Sequence, residues 1–228
     1  MKEKLVTYLQ QFVTERRLKQ IERVLNNRTR YITVVLEDIF QPHNASAVLR
    51  SCECFGIQDV HIIENRNKYR INPDVALGSS KWLTLRKYNQ KTNNTLTAID
   101  SLKSNGYCIV ATTPDEQAGS LEEFNIREGK FALLFGTEME GLSVEAMGLA
   151  DKSIRIPQYG FTQSFNISVA AAIILYGLVN TLRNSDVSWK LDDKEKLNLK
   201  LLWLKNSIRH PDAIERFLID NQEFDSEE

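Results

Sequence analysis

The sequence predicts an α/β fold, a parallel sheet with helices on both faces. Two observations predict it. Short runs rich in β-branched and aliphatic residues recur between residues 31 and 156. Segments of helical periodicity alternate with them as far as residue 182. Sheets of this kind bind ligands at the C-terminal ends of their strands.

Each element has its own signal. Residues 1–27 read as a helix, with Leu5, Leu9, Phe12 and Val13 near one face and Ile21, Val24 and Leu25 further along. YITVVL at 31–36 is a buried strand by its β-branched content. Residues 45–55 are helical, and Gly56 is placed to cap their C-terminus. VHII at 60–63 is a second strand. Residues 64–80 read as a polar, basic loop containing Pro73 and Gly78, and 82–85 as a short strand. Residues 95–103 form a helix stopped near Gly106. Strands follow at 107–111 and 131–135, then a short helix at 144–150, a last strand at 153–156 and a long, nearly uncharged helix at 165–182. The polar tail is helical on the spacing of Leu197, Leu201, Leu202 and Leu204, and residues 225–228 (DSEE) are expected to be disordered. The expected domains are a helical extension at 1–30, a main domain at 31–183 and a C-terminal helical extension at 184–228.

A chain of 228 residues buries a core large enough to fold without disulfides. Cys52, Cys54 and Cys108 show no zinc or C-x-x-C spacing, so free thiols in a reducing compartment are expected. The N-terminus lacks the apolar core of a signal peptide. The longest apolar stretch, 165–179, is too short for a membrane span and is interrupted by Asn166 and Ser168. A cytoplasmic protein without membrane partners is the reading. Net charge is only −1, but its distribution is uneven. Residues 1–30 carry eight Lys/Arg against three Glu, and 65–91 carry seven against one Asp. Residues 113–151 carry nine acids against two bases. The basic runs are either solvated faces or an RNA-binding surface. In the second case Arg16, Arg17, Lys68, Arg70 and Lys81 are the candidate contacts.

Neither G-x-G-x-x-G nor a Walker loop is present, which disfavours nicotinamide-dependent dehydrogenases, P-loop enzymes and methyltransferases of the Gly-rich-loop type. Three polar clusters border buried strands instead. PHNASAVLR at 42–50 contains Asn44, readable as a helix cap, and Arg50, readable as a surface ion pair. GTEMEG at 136–141 sets two glycines around Glu138, which suits close approach of backbone to a ligand or a plain turn. IPQYGFTQSFN at 156–166 leads into the apolar helix; Ser164 and Asn166 there are caps or donors to a polar ligand. The glycine-bearing turns put Gly136 and Gly160 among the candidate ligand contacts. His43, His61 and His210 have no metal spacing, and His61, alternating inside a strand, reads as structural.

In their order and spacing, N-x-x-A-x-x-R, G-x-E-x-x-G and I-P-x-x-G-x-x-x-S-F-N-x-S-V-A-x-A-I resemble the three motifs of the SpoU branch of the SPOUT RNA methyltransferases, over roughly residues 31–182. Three features resemble the branch that methylates a guanosine ribose in the tRNA D-loop: Lys81-Trp82 after Gly78-Ser-Ser, the E-D-I-F-Q-P-H-N run before Asn44, and short helical extensions in place of a separate N-terminal RNA-binding domain. Phe165, where Leu is usual, and Gln158, where Met is common, depart from the family pattern.

The resemblance implies a trefoil-knotted sheet, a homodimer, S-adenosylmethionine as cofactor and tRNA as substrate. It implies cofactor contacts at Thr112, Gly136, Ile156 and Phe165, and catalytic roles for Asn44, Arg50, Glu138, Ser164 and Asn166. Arg50 would activate the 2′-hydroxyl, helped by an RNA phosphate. A guanidinium keeps its proton near neutral pH, so Arg50 reads better as a clamp on phosphate and hydroxyl. Glu138 would orient Arg50 or the loops. A ribosomal-RNA ribose methyltransferase and an inactive RNA-binding module remain as alternatives.

Overall fold

The computed structural model describes residues 2–70, 72–76 and 78–216; the disorder expected at 225–228 lies outside the described residues. The chain divides into two compact units. One comprises residues 29–189, and the other is drawn from both ends of the chain.

In the terminal unit the helix expected at 1–27 is broken. α1 (Lys2–Leu9) ends in a 3-10 turn, and α2 (Glu15–Leu25) restarts after Thr14. The cause is local. Thr14 takes an extended backbone, and its hydroxyl accepts the Arg17 N–H at 3.2 Å, so it caps a new helix instead of continuing the old one. Leu5, Val6, Leu9, Ile21 and Leu25 are buried, whereas Phe12 is exposed. α8 (Asp193–Ser207) opens with a capping box between Asp192 and Glu195. It buries Leu199, Trp203 and Leu204, while Leu202 faces out. The buried Arg28 guanidinium lies 5.2 Å from the centre of the Trp203 ring.

The larger unit is a seven-stranded sheet. Its strands are β1 (Ile32–Glu37), β2 (Asp59–Ile63), β3 (Thr84–Tyr88), β4 (Cys108–Thr112), β5 (Gly119–Ser120), β6 (Phe131–Phe135) and β7 (Lys152–Arg155). The order is β3-β2-β1-β6-β4-β7-β5, and all pairs are parallel. Helices α3 (Pro42–Phe55), α5 (Asn94–Ser104), α6 (Val144–Leu149) and α7 (Ile167–Arg183) cover it, and a single turn, α4 (Pro73–Ala76), interrupts the basic loop.

Strand alternation sorts side chains into two cores. Ile32, Val34 and Leu36 join Val48 and Leu49 of α3 and Ile174, Leu175 and Leu178 of α7. Val35, Ile109 and Leu134 join Ile99 and Leu102 of α5 and Ala146 of α6. With both faces covered, the central strands are apolar at almost every position. Gly56 closes α3 with φ 82°, the left-handed conformation expected of a C-cap.

Two strands differ from expectation. β3 begins at Thr84, because Trp82 closes the 3-10 turn Ser79–Lys81 and its carbonyl accepts from Gln58 Nε2 at 3.1 Å. β5 has only two residues, too few to carry a pattern.

Candidate functional site

The site begins with strand order. From β1 the chain runs outward through β2 and β3 on one side, while β6 lies against β1 on the other. Such a switch opens a crevice beyond the C-terminal strand ends. Leu36 pairs with Phe135, so the segments after β1 and β6 leave the sheet side by side. The second folds back on itself, with Thr137 and Gly141 exchanging backbone hydrogen bonds at 2.9 and 3.0 Å. A Cβ on Gly136 would stand 2.1 Å from the Gly141 carbonyl carbon. Glycine is therefore demanded here by the loop's own backbone, the turn that the sequence offered beside the approach of a ligand.

Three side chains from the three motifs converge in that crevice. Asn44 Nδ2 donates to Glu138 Oε1 and, at 3.2 Å, to Gln41 Oε1. Asn166 Nδ2 lies 3.3 Å from both Asn44 Oδ1 and Glu138 Oε1. Asn44 does not cap α3: the helix begins at Pro42 after Gln41, and Asn44, buried, sits within its first turn. Asn166 does cap α7, accepting the Ser168 N–H at 2.9 Å. Glu138 Oε1 is thus shared by the side-chain amides of the two asparagines. Arg50 stands apart. Six residues beyond Asn44, it is about 9 Å along the helix axis and about 120° around it. Its guanidinium is exposed, with no hydrogen bond or ion pair to any described residue.

Beside the cluster lies a cavity of about 410 Å³, within the range of small-molecule sites. Thr112, Gly136, Ile156, Ser164 and Phe165 line it, together with Gln158 and the apolar Leu142, Met147 and Ile154. Thr112 contributes its carbon side, since its hydroxyl donates to the Leu134 carbonyl at 2.7 Å. With its amide nitrogen turned inward, Gln158 ties down the segment before α7, donating to Gln163 O at 2.8 Å and Thr162 O at 3.0 Å. Gly160 falls outside the lining; its φ is not left-handed, and a Cβ there would meet only open space.

Two buried carboxylates open the E-D-I-F-Q-P-H-N run, where sequence reasoning assigned neither a role of its own. Glu37 ends β1 and accepts from Thr95 Oγ1 at 2.6 Å, Ser143 Oγ at 2.8 Å and Ser143 N at 2.9 Å. Asp38 has φ 51°, and its Oδ1 accepts the N–H groups of Asn65, Arg66 and Asn67 at 2.7, 2.8 and 3.2 Å. The signal was two acids directly after an apolar strand. Asp38 thereby fixes the start of the basic loop. Tyr69 in that loop is buried, with its N–H on Glu64 Oε1 at 3.0 Å, and its neighbours Lys68 and Arg70 point outward. Lys81 is exposed too, as are Arg16 and Arg17 in the terminal unit. Arg66 bridges to Glu140 of the cavity loop at 2.9 Å. His61 is structural, stacked on Tyr88 with Nδ1 3.0 Å from the phenol oxygen. Burial, and secondarily the Arg86 charge, lowers its pKa to about 4.

Comparison with known proteins places this geometry among relatives. The model of the SpoU rRNA Methylase family matches residues 31–176. The tRNA (guanosine(18)-2′-O)-methyltransferase of Borreliella burgdorferi is 48% identical over 94% of this chain and 96% of its own. The Thermus thermophilus protein of the same name is 39% identical over 72% and 81%. Among solved structures, the TrmH/SpoU tRNA-modifying enzyme of A. aeolicus superposes with a TM-score of 0.76 at 29% identity, covering 86% of this chain and 98% of that one.

Proposed function

The chain belongs to the SpoU methylase family, and from that premise we propose that it transfers a methyl group from S-adenosylmethionine to the ribose 2′-hydroxyl of guanosine 18 in tRNA. The observation that carries this reading is the meeting of Asn44, Glu138 and Asn166 beside a cavity at the strand ends. The cavity suits the cofactor. Its volume, its apolar floor of Ile154, Ile156 and Leu142, and the polar rim of Ser164 and Gln158 match a purine nucleoside with a charged amino-acid arm.

Bound there, the cofactor supplies an electrophilic methyl. The chain's task is to present an oxygen in line with it and to stabilise the charge that develops. Asn44 and Asn166 have their amides fixed by Glu138, so they are pre-oriented to hold ribose and loop. Arg50, unpartnered among the described residues, is available for an RNA phosphate, and its planar fork can hold phosphate and hydroxyl together. Ser164, on the cavity rim, orients the ribose side of the site. Lys68, Arg70 and Lys81 supply a sequence-independent grip on the phosphate backbone, and Arg16 and Arg17 offer the terminal unit's own phosphate contacts.

We further propose a homodimer with the trefoil knot of the family, acting in the cytoplasm. The exposed stripe Val169, Ile173 and Tyr176 along α7 supports self-association, and the free state of all three cysteines fits a reducing compartment. Among the described residues no helix is long and apolar enough to cross a membrane.

Incubation with labelled S-adenosylmethionine and total RNA, followed by mapping of the label, tests the reading. Label on the tRNA D-loop guanosine ribose is expected. Label in ribosomal RNA, or none, overturns it.

A further inference from the structure

We propose that Glu37 is a positioning residue for this reaction, holding the cofactor loop and the basic RNA loop to the end of β1 through two separate hydrogen-bonded arms; the inference rests on the methyltransferase reading above. Glu37 is 3% exposed, and a carboxylate so buried persists only where its oxygens are satisfied. Both are. The first arm runs to Ser143, whose N–H and hydroxyl both donate to it, at 2.9 and 2.8 Å. Ser143 is also the N-cap of α6, accepting the Ala146 N–H at 3.0 Å. It therefore fixes the point where the 136–142 loop becomes helix, and Met147 on that helix lines the cavity. The second arm runs to Thr95. Its hydroxyl gives its one proton to Glu37 at 2.6 Å and accepts from Asn65 Nδ2 at 2.8 Å. Asn65 is the residue at which the basic loop begins and whose N–H Asp38 also holds. One buried carboxylate thus sets the exit of one functional loop and the start of the other, 106 residues from Ser143 and 58 from Thr95 along the chain.

A carboxylate serves both arms as an acceptor alone. Glu37→Gln keeps the shape, but its amide nitrogen must either face the Ser143 N–H or force the Thr95 and Ser143 hydroxyls, each already accepting one bond, to turn and give their protons elsewhere. The two arms can also be cut singly, by Ser143→Ala and by Thr95→Val. Binding constants taken at a temperature where each variant is folded separate positioning from a merely structural role, which would change melting temperature alone. S-adenosylmethionine affinity is read by calorimetry without RNA, and affinity for unmodified tRNA by filter binding without cofactor. Expected are a loss of about tenfold in cofactor affinity for Ser143→Ala with tRNA affinity unchanged, the reverse for Thr95→Val, and both losses for Glu37→Gln. Losses of this size correspond to hydrogen bonds to a charged group. Parent-like affinities in all folded variants overturn the proposal, as do identical profiles for Ser143→Ala and Thr95→Val. If Glu37→Gln does not fold, the two single-arm variants decide alone. Failure of the functional reading shows separately, as a parent protein that transfers no label to tRNA.

Discussion

Asn44 donates its side-chain amide to the carboxylate of Glu138, 94 residues later in the chain. The contact joins the segments leaving two adjacent parallel strands, so each residue's placement depends on the other. A double-mutant cycle of Asn44→Ala and Glu138→Ala should therefore be non-additive, with a coupling of about 1.5–3 kcal/mol in single-turnover methylation. Additive losses would mean that the two act independently.

Gly136→Val should displace the 137–142 loop and, in the folded variant, lose cofactor affinity by at least about tenfold, roughly 1.4 kcal/mol. The added Cβ would otherwise overlap the backbone of Gly141 and Leu142. Calorimetry with S-adenosylmethionine checks this. Undiminished affinity would place the cofactor elsewhere.

Arg50→Lys separates two roles. With no partner among the described residues to lose, stability should change by no more than about 0.5 kcal/mol. If Arg50 clamps phosphate and hydroxyl, turnover should fall about 100-fold, near 2.7 kcal/mol. A Lys variant as fast as the parent removes Arg50 from the mechanism.

Stability should fall with acid through His61. Its folded pKa of about 4 lies below the ordinary 6.5, so the unfolded chain takes up the proton first. The contribution is present in full above 6.5 and is lost as pH drops from 6.5 toward 4, by a total on the order of 3 kcal/mol. Urea denaturation across that window should show a shallower slope for His61→Gln than for the parent. Equal slopes would assign the acid sensitivity to other groups.

Affinity for tRNA should fall steeply between about 50 and 200 mM salt. Lys68→Glu/Arg70→Glu should lower both the affinity and the steepness, and filter binding reads both. A salt-independent affinity would contradict phosphate contact through the basic loop.

The sheet unit was legible because each central strand is a dense apolar run such as FALLF, and the long helices carry boundary signals at Gly56, Gly106 and Asn166. The break at Thr14 was not, because a threonine inside a helical pattern caps only if the backbone turns extended there. The convergence of Asn44, Glu138 and Asn166 was legible as three motifs in order, but nothing local brings them together; that follows from β6 lying beside β1. Glu37 and Asp38 were legible as part of the E-D-I-F-Q-P-H-N run, but only tertiary packing shows that they are buried anchors. The helix of α8 was legible from the spacing of its leucines, but which of them are buried was not: Leu204 is, beside Trp203 and Leu199, while Leu202 is exposed.

The place of β6 bears on how the chain emerges from the ribosome. β1 has one long edge on β2 and the other on β6, and β4 reaches β1 only through β6. Until residue 135 has been synthesised, the nascent β1 and β4 each carry an open apolar edge with no neighbour of the correct register, and sequence-distant pairing of this kind is slow to form. Pairing along that edge is thus expected to wait for β6. An arrested nascent chain ending at about residue 125 should remain protease-sensitive and engage chaperones, whereas one that has released the whole of α7 should become resistant in a single step.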